Sequence, residues 1–391
     1  MLNQRIGSPN HSINQLVESI GTDTRDHESD RLRLLLQGPV SVQMGAYSST
    51  IRDAAKARLL KGKEATNYGT TKLFARVYQK FDMAAQQGFG SPLGSKIPWH
   101  ESWMPTDPTD NDRMVTIIDN KTGRSFNCWM VDRYNLGAFW HIPNHQAGFN
   151  VNLNTHLAMA SMTSPDQSIF TMEDYESGGA LGTHGAKIHA LLGVVRAWEV
   201  AAGAIEHAIS ISISRPAYGT WQQSGGTKKL IETVPARLCG PIELEHKNPV
   251  TLGLGGVTKE PHPLDTTLPS GHRMVVDISD AQILELLARH FQVSAPLYNT
   301  ARIFTVAMRE YGLIVLETNG YGIGIQTEGW FNPAAKTIWA KQGLTNQTET
   351  NKLNTYINEL IQMYPWKTVN ERNVIRPDGV ISKTLPPYKF K

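Results

Sequence analysis

The chain has 391 residues, of which 40% are hydrophobic and 19% charged, and its 38 basic and 35 acidic side chains leave a formal charge of +3. This balance excludes intrinsic disorder, which needs low hydrophobicity with high charge, and the lack of a long basic block makes nucleic acid an unlikely partner. Two cysteines, Cys128 and Cys239, are too few for a disulfide framework, and without a Cys-x-x-Cys pair no metal site of the usual structural zinc type is expected.

Glycine (33) and proline (21) are plentiful enough to turn the chain between many short elements, as a β-rich fold requires. Residues 1–95 read as an N-terminal arm or subregion. Within it, Ala54, Ala55 and Ala57 favour a helix over Ile51 to Leu60. The basic run Arg52, Lys56, Arg58, Lys61 and Lys63 would then be a solvated helix face. Leu73, Val77, Phe81 and Ala84 stand at helical spacing and predict a second helix over Lys72 to Gln87.

The strand signal begins after Pro105. Met114 to Asp119 and Ser125 to Val131 read as two strands of a hairpin turned at Asn120–Gly123. Ala138 to Ile142 and Phe149 to Leu153 are further candidates. The clearest strand is Ala204 to Ser214. Its alternation sets Ile205, His207, Ile209, Ile211 and Ile213 against Glu206, Ser210 and Ser212, the pattern of a strand with one face buried and one face wet. Arg273 to Ile278 is another strand. Ser279 and Gln282 have capping-box spacing ahead of an apolar stripe of Ile283, Leu286, Leu287 and Phe291. A second helix covers Ala301 to Tyr311, with Gly312 as its left-handed cap. Leu313 to Thr318 and Tyr321 to Thr327 read as a hairpin turned at Asn319-Gly320, followed by helices over Pro333 to Gln342 and Lys352 to Tyr364. The expected fold is therefore α+β and β-rich: an antiparallel, jelly-roll-like β-sandwich over residues 96–345 with packed C-terminal helices, then a helix and extended tail over 346–391.

Candidate chemistry is sparse. His184, His189 and His207 are the first histidines to weigh, since imidazole serves as metal ligand or general base, but their spacing matches no metal motif. His207 reads first as a buried, hydrogen-bonded core residue. Asp107, Asp110 and Asp112 lack the glycine and closing glutamate of a calcium loop and read as turn and cap residues. Trp99, Trp103, Trp129 and Trp330 read as core or loop-pinning residues. Trp221, Tyr218 and Trp140 are the aromatic candidates for glycan binding, Trp221 foremost because Gly219 to Gly226 has little apolar company. Gly320 to Gly324 is no phosphate loop, since no helix with a Lys-Ser/Thr pair follows. Close packing explains those glycines better. No cofactor is expected.

Three segments resemble a known family when taken in order. They are Asn111 to Met114 running into Asp119 and Trp129, Leu192 to Arg196 through Glu199 to Ile209, and Ala307 to Val315. Over roughly residues 100–330 the chain is similar to a largely uncharacterised bacterial and phage family of β-rich, often exported proteins, which has no settled activity and implies no catalytic residue. It departs from that family at Ala217 to Trp221, where relatives carry Trp-Pro-Ala. Met1 to Arg5 is not followed by an apolar signal segment, so synthesis in a cytoplasm is expected. Both features together suggest a phage virion-associated structural or host-adsorption protein, contacting host-surface glycan and associating with itself or other virion proteins through residues 1–95. A polysaccharide hydrolase or lyase is the alternative, using His184, His189, His207, Tyr311 and Glu317 beside aromatic platforms. A binding module of unknown ligand is the third reading. No stretch is apolar for the ~20 residues that a membrane span needs.

Overall fold

In a computed structural model of the chain the described residues are 39–45, 48–59, 61–63, 74–77, 96–100, 102–103, 115–119, 121, 124–132, 156–159, 193–213, 219–224, 227–233, 273–319 and 322–369. The strands and helices follow in chain order: β1 (Val40–Gln43), β2 (Ile51–Asp53), β3 (Phe74–Val77), β4 (Lys96–Pro98), β5 (Val115–Asp119), β6 (Arg124–Asp132), β7 (His156–Met159) and α1 (Ala197–Ala202). Next come β8 (Ile209–Ile213), β9 (Gly219–Ser224), β10 (Thr227–Thr233), β11 (Arg273–Val276), α2 (Asp280–His290), α3 (Pro296–Glu310), β12 (Leu313–Thr318), β13 (Ile323–Gln326), α4 (Pro333–Lys341), α5 (Gln347–Met363) and β14 (Trp366–Val369). The class is α+β.

The first sheet has the order β1-β13-β8-β12-β11-β14. Its central strand β8 runs parallel to β12 and antiparallel to β13, with Ile211 beside Val315 on one side and Ile325 on the other. The hairpin expected at Asn319-Gly320 therefore opens to admit β8 between its two strands. Local turn chemistry is redirected to that end: the Asn319 N–H donates to Ile213 O (3.0 Å), and Asn319 Nδ2 donates to Ser212 O (3.1 Å). The connection thus wraps the end of the inserted strand.

The second sheet has the order β2-β5-β6-β7-β3-β4, and among the described residues β9 and β10 form a two-stranded sheet. The β5–β6 hairpin has its expected register, Val115 beside Cys128 and Asp119 beside Arg124. A jelly roll is antiparallel throughout. Here β1/β13, β8/β12, β2/β5 and β3/β7 are parallel, so both sheets are mixed and the described strands do not follow the jelly-roll pattern.

One face of the first sheet makes the main core. Ile209, Ile211, Ile213 and Val315 meet the apolar stripes of α2 (Ile283, Leu286, Leu287), α3 (Ala301, Phe304, Met308) and α5 (Leu353, Tyr356, Ile357, Leu360). Burying each large side chain contributes about 1.5–3 kcal/mol, which places most of the fold's driving force here. The start of α2 matches its sequence signal, while α3 and α5 begin five residues earlier than expected, at Pro296 and Gln347. Ser279 Oγ accepts from the Gln282 N–H (3.3 Å) while Gln282 Oε1 accepts from the Ser279 N–H (2.9 Å), a reciprocal capping box. The opposite face of β8 was expected to be wet, yet Ser210 and Ser212 are buried. Their hydroxyls donate to Gln326 Oε1 and to Gly324 O, both at 3.4 Å, which replaces the lost water.

The N-terminal region differs most from expectation. Within residues 1–95, β1 lies at the edge of the first sheet beside β13, and β2 joins the second sheet beside β5. Ile51–Asp53 is a strand, not a helix, and only Ala54–Lys56 forms a single 3-10 turn, capped by the Asp53 carboxylate on the Ala55 N–H (2.8 Å). Phe74–Val77 is likewise a strand. Alanine and helical spacing were overridden by pairing with distant strands. Of the expected extended tail, Trp366–Val369 pairs with β11 as β14. Strand candidates at 138–142 and 149–153, and Asp107, Asp110 and Asp112, lie outside the described residues. Among the described residues no helix is long and apolar enough to cross a membrane.

Gly312 closes α3 with φ 90°, and a Cβ there would strike the Met274 carbonyl. Gly203 closes α1 with φ 93° into open space. Gly203→Ala is therefore expected to lose about 1–2 kcal/mol from the left-handed backbone alone. Gly312→Ala should lose at least about 1–3 kcal/mol more from overpacking. Urea denaturation of the two variants checks the difference.

Candidate functional site

Among the described residues, a group of charged side chains lies where α1, the turn before β8, β2 and the segment after β13 converge. Residues 327–329 bind this region together. The Glu328 N–H donates to Val195 O (2.8 Å), and the Gly329 N–H donates to Ser49 O (3.2 Å). Glu328 is thereby fixed between the start of α1 and the start of β2.

Four charged side chains surround it. Arg196 is the N-cap residue of α1, and its N–H donates to Glu199 Oε2 (2.8 Å). A guanidinium has no acceptor, so this is one half of a capping box, made by the glutamate alone. The helix ends at Gly203, and the chain returns to present His207 to the same carboxylate. His207 Nε2 lies 3.2 Å from Glu199 Oε1 and 3.3 Å from Oε2, with the two side chains 14% and 12% exposed. The other ring nitrogen, Nδ1, lies 2.9 Å from Ala208 O.

Glu328 Oε1 accepts from Asn332 Nδ2 (2.6 Å) and Oε2 from the Ala197 N–H (3.4 Å). Its backbone carbonyl accepts from the Trp339 indole N–H (2.6 Å). Arg52 is buried beside it and donates from Nη2 to Phe331 O (3.0 Å). The basic run expected as a solvated helix face thus sends its first member into the interior, where a carboxylate and a carbonyl await it.

The protonation directions follow from this geometry. Burial alone would raise Glu199, but the charge and hydrogen bond of His207, with Arg196, outweigh it and hold the carboxyl below its usual range. Burial opposes the charged form of His207, and Glu199 overcomes it and raises the imidazole. Glu328 is raised because burial exceeds the help from Arg196, Ala197 and Asn332. Arg52 is lowered by burial to about 10, with Glu328 acting in the opposite sense.

Three of the five expected catalytic residues, His207, Tyr311 and Glu317, lie among the described residues. His207 stands in the turn before β8, not on the strand's apolar face. Tyr311 caps α3, buried, with its N–H on Ala307 O (2.8 Å). It lies near the same end of the sheet, because the Ile209 N–H donates to Gly312 O (2.9 Å). Glu317 is in register with Ser212, five residues along from His207. At ~3.3 Å per residue that is on the order of 16 Å down the strand. Trp221 lies in β9, in register with Leu230, so the loop expected at Gly219–Gly226 is largely a two-stranded hairpin. His184, His189, Tyr218 and Trp140 lie outside the described residues. Among the described residues no group of three His, Cys, Asp or Glu side chains could hold a metal ion.

Sequence reasoning missed Arg52, Arg196, Glu199 and Glu328. The one local signal was the three-residue spacing from Arg196 to Glu199, obscured because arginine is not a capping residue. No family model matches the chain, and no curated protein or solved structure matches it.

Removing the Glu328 carboxylate takes the acceptor from Asn332 Nδ2 and the Ala197 N–H and a nearby opposite charge from buried Arg52. Glu328→Ala is expected to destabilise the protein by about 1–3 kcal/mol. Glu328→Gln, whose single amide oxygen can still accept from Asn332 Nδ2 or the Ala197 N–H, should cost less. Denaturation midpoints of the two variants test this order.

Proposed function

We propose that this chain is a non-catalytic structural or host-adsorption protein of the kind a phage particle carries. The observation that carries this reading is the commitment of the buried charged groups to partners within the chain. A general base needs a lone pair that a substrate can reach. Both nitrogens of His207 and both carboxylate oxygens of Glu199 and Glu328 face partners inside the fold instead. Such a cluster locks strand, helix and loop in one arrangement, which is what a protein built into an assembly requires. The resemblance to exported β-rich proteins supports a role outside a cell.

Glycan contact is assigned to the β9–β10 hairpin. Its register pairs Trp221 with Leu230 and Gln223 with Lys228. An aromatic ring suits the C–H face of a sugar, and amide and ammonium groups suit its hydroxyl and acidic substituents. Isolated two-stranded hairpins are marginal in water, so a bound ligand would also steady this one.

The test uses the full chain. Light scattering is expected to show a defined oligomer, and incubation with a polysaccharide panel should release no reducing ends or unsaturated products. Binding to at least one anionic polysaccharide should weaken tenfold or more in Trp221→Ala. Cleavage by the wild type that disappears in His207→Ala would establish the enzyme reading instead. A monomer that binds no polysaccharide would remove the adsorption and assembly reading.

A further inference from the structure

We propose that the Glu199–His207 contact is a proton-dependent latch that holds α1 against the start of the central strand and opens in alkaline solution. The proposal is independent of the glycan and virion readings, because it rests on how the two side chains are placed.

The imidazole lies between two acceptors. Ala208 O, at 2.9 Å from Nδ1, carries no proton and can only accept. Glu199 lies at 3.2 and 3.3 Å from Nε2, and its Oε2 already accepts from the Arg196 N–H. A neutral imidazole carries one N–H and can satisfy one of the two. Whichever tautomer forms, a nitrogen lone pair then faces a carbonyl or a carboxylate oxygen at hydrogen-bonding distance. The imidazolium, with two N–H groups, satisfies both. The site is therefore built for the charged form.

The contact spans a point of mechanical importance. Glu199 belongs to α1, a helix of six residues, too short to persist without tertiary support. His207 lies two residues before β8, hydrogen-bonded on both edges. Between them the chain turns at Gly203 with φ 93° and exposes Gly203, Ala204 and Glu206. Losing the proton removes one of the two imidazole hydrogen bonds and the charge attraction that joins the ends of this turn. The charged groups acting on the pair are Arg196, from its own segment, and Glu328, from the segment after β13, with Arg52 of β2 beside Glu328. Arg196 disfavours the imidazolium and favours the carboxylate, so it sharpens the dependence on Glu199.

The sign follows from linkage. The folded state raises His207 above its ordinary value, so its stabilisation is complete below about pH 6.5 and is lost as pH rises through the raised folded value. The folded state lowers Glu199, so its stabilisation is present above the ordinary carboxylate value and is lost as pH falls through the lowered one. The latch is closed between those limits.

The experiment follows the ring resonances of His207 by NMR and the amide exchange of residues 197–208, corrected for intrinsic rate, from pH 5 to 10 in the full chain. The expected result is an apparent pKa for His207 above about 6.5 that falls in Glu199→Gln. Opening of 197–208 should increase about tenfold per pH unit between about pH 6.5 and the raised value and level off above it, and the dependence should vanish in His207→Gln. A His207 titration at or below the ordinary value, or an unchanged pH slope in His207→Gln, overturns the proposal. If His207→Gln does not fold, the wild-type titration and Glu199→Gln decide the question.

Discussion

Everything in the described fold depends on β8 being hydrogen-bonded on both edges and covered on both faces. A five-residue strand in that position exposes no backbone group to water, so each N–H and C=O must find a partner in the sheet. Parallel β12 and antiparallel β13 supply them. The isoleucine face then has no alternative but the helices α2, α3 and α5, and the serine face must satisfy its hydroxyls within the protein. The same constraint explains Gly324. A Cβ there would collide with Gln43 and Ser212, so glycine lets β13 and β1 approach the polar face closely.

The buried charges follow from the same insertion. Once β8 sits between β12 and β13, its leading turn and the segment leaving β13 emerge side by side, and α1 is drawn in through Val195. Arg52 arrives from the other sheet through the bridge at Ser49 and Glu328. Five charged groups then share a place with little water, where attraction at short range is strong and an unpaired charge is costly. Alternation of sign along Arg52, Glu328, Arg196, Glu199 and His207 resolves that conflict. Such a network costs more to break than it gains over an apolar core, so it specifies one arrangement of its parts.

Legibility in the sequence tracked the range of the interactions. The capping box at Ser279, the apolar stripes of α2 and α3, the left-handed cap at Gly312 and the β5–β6 hairpin were all legible, because each is set by residues within a few positions of one another. The helices predicted at 51–60 and 72–87 failed at Ile51–Asp53 and Phe74–Val77, because those residues pair with strands more than 60 positions away in β2 and across the sheet in β3. Of the site, His207 was legible as a hydrogen-bonded histidine, though it is half-buried in the turn before β8 and not a core residue of the strand. Glu328 and Arg52 were not, since a glutamate and an arginine in isolation read as solvated and only their neighbours in space make them otherwise.

The sequence by itself determined the capping box at Ser279, the left-handed stop at Gly312, the apolar stripes of the C-terminal helices and which strand is regular enough to lie at the core's centre. Periodicity and capping act through the local backbone and need no partner to be read. Only the tertiary structure decided which strands are neighbours, that the serine face of β8 is buried, and that Arg52, Arg196, Glu199, His207 and Glu328 share one site. The reason is physical: strand pairing and charge pairing join residues brought together by the whole chain, and their energy depends on what else has been removed from water around them.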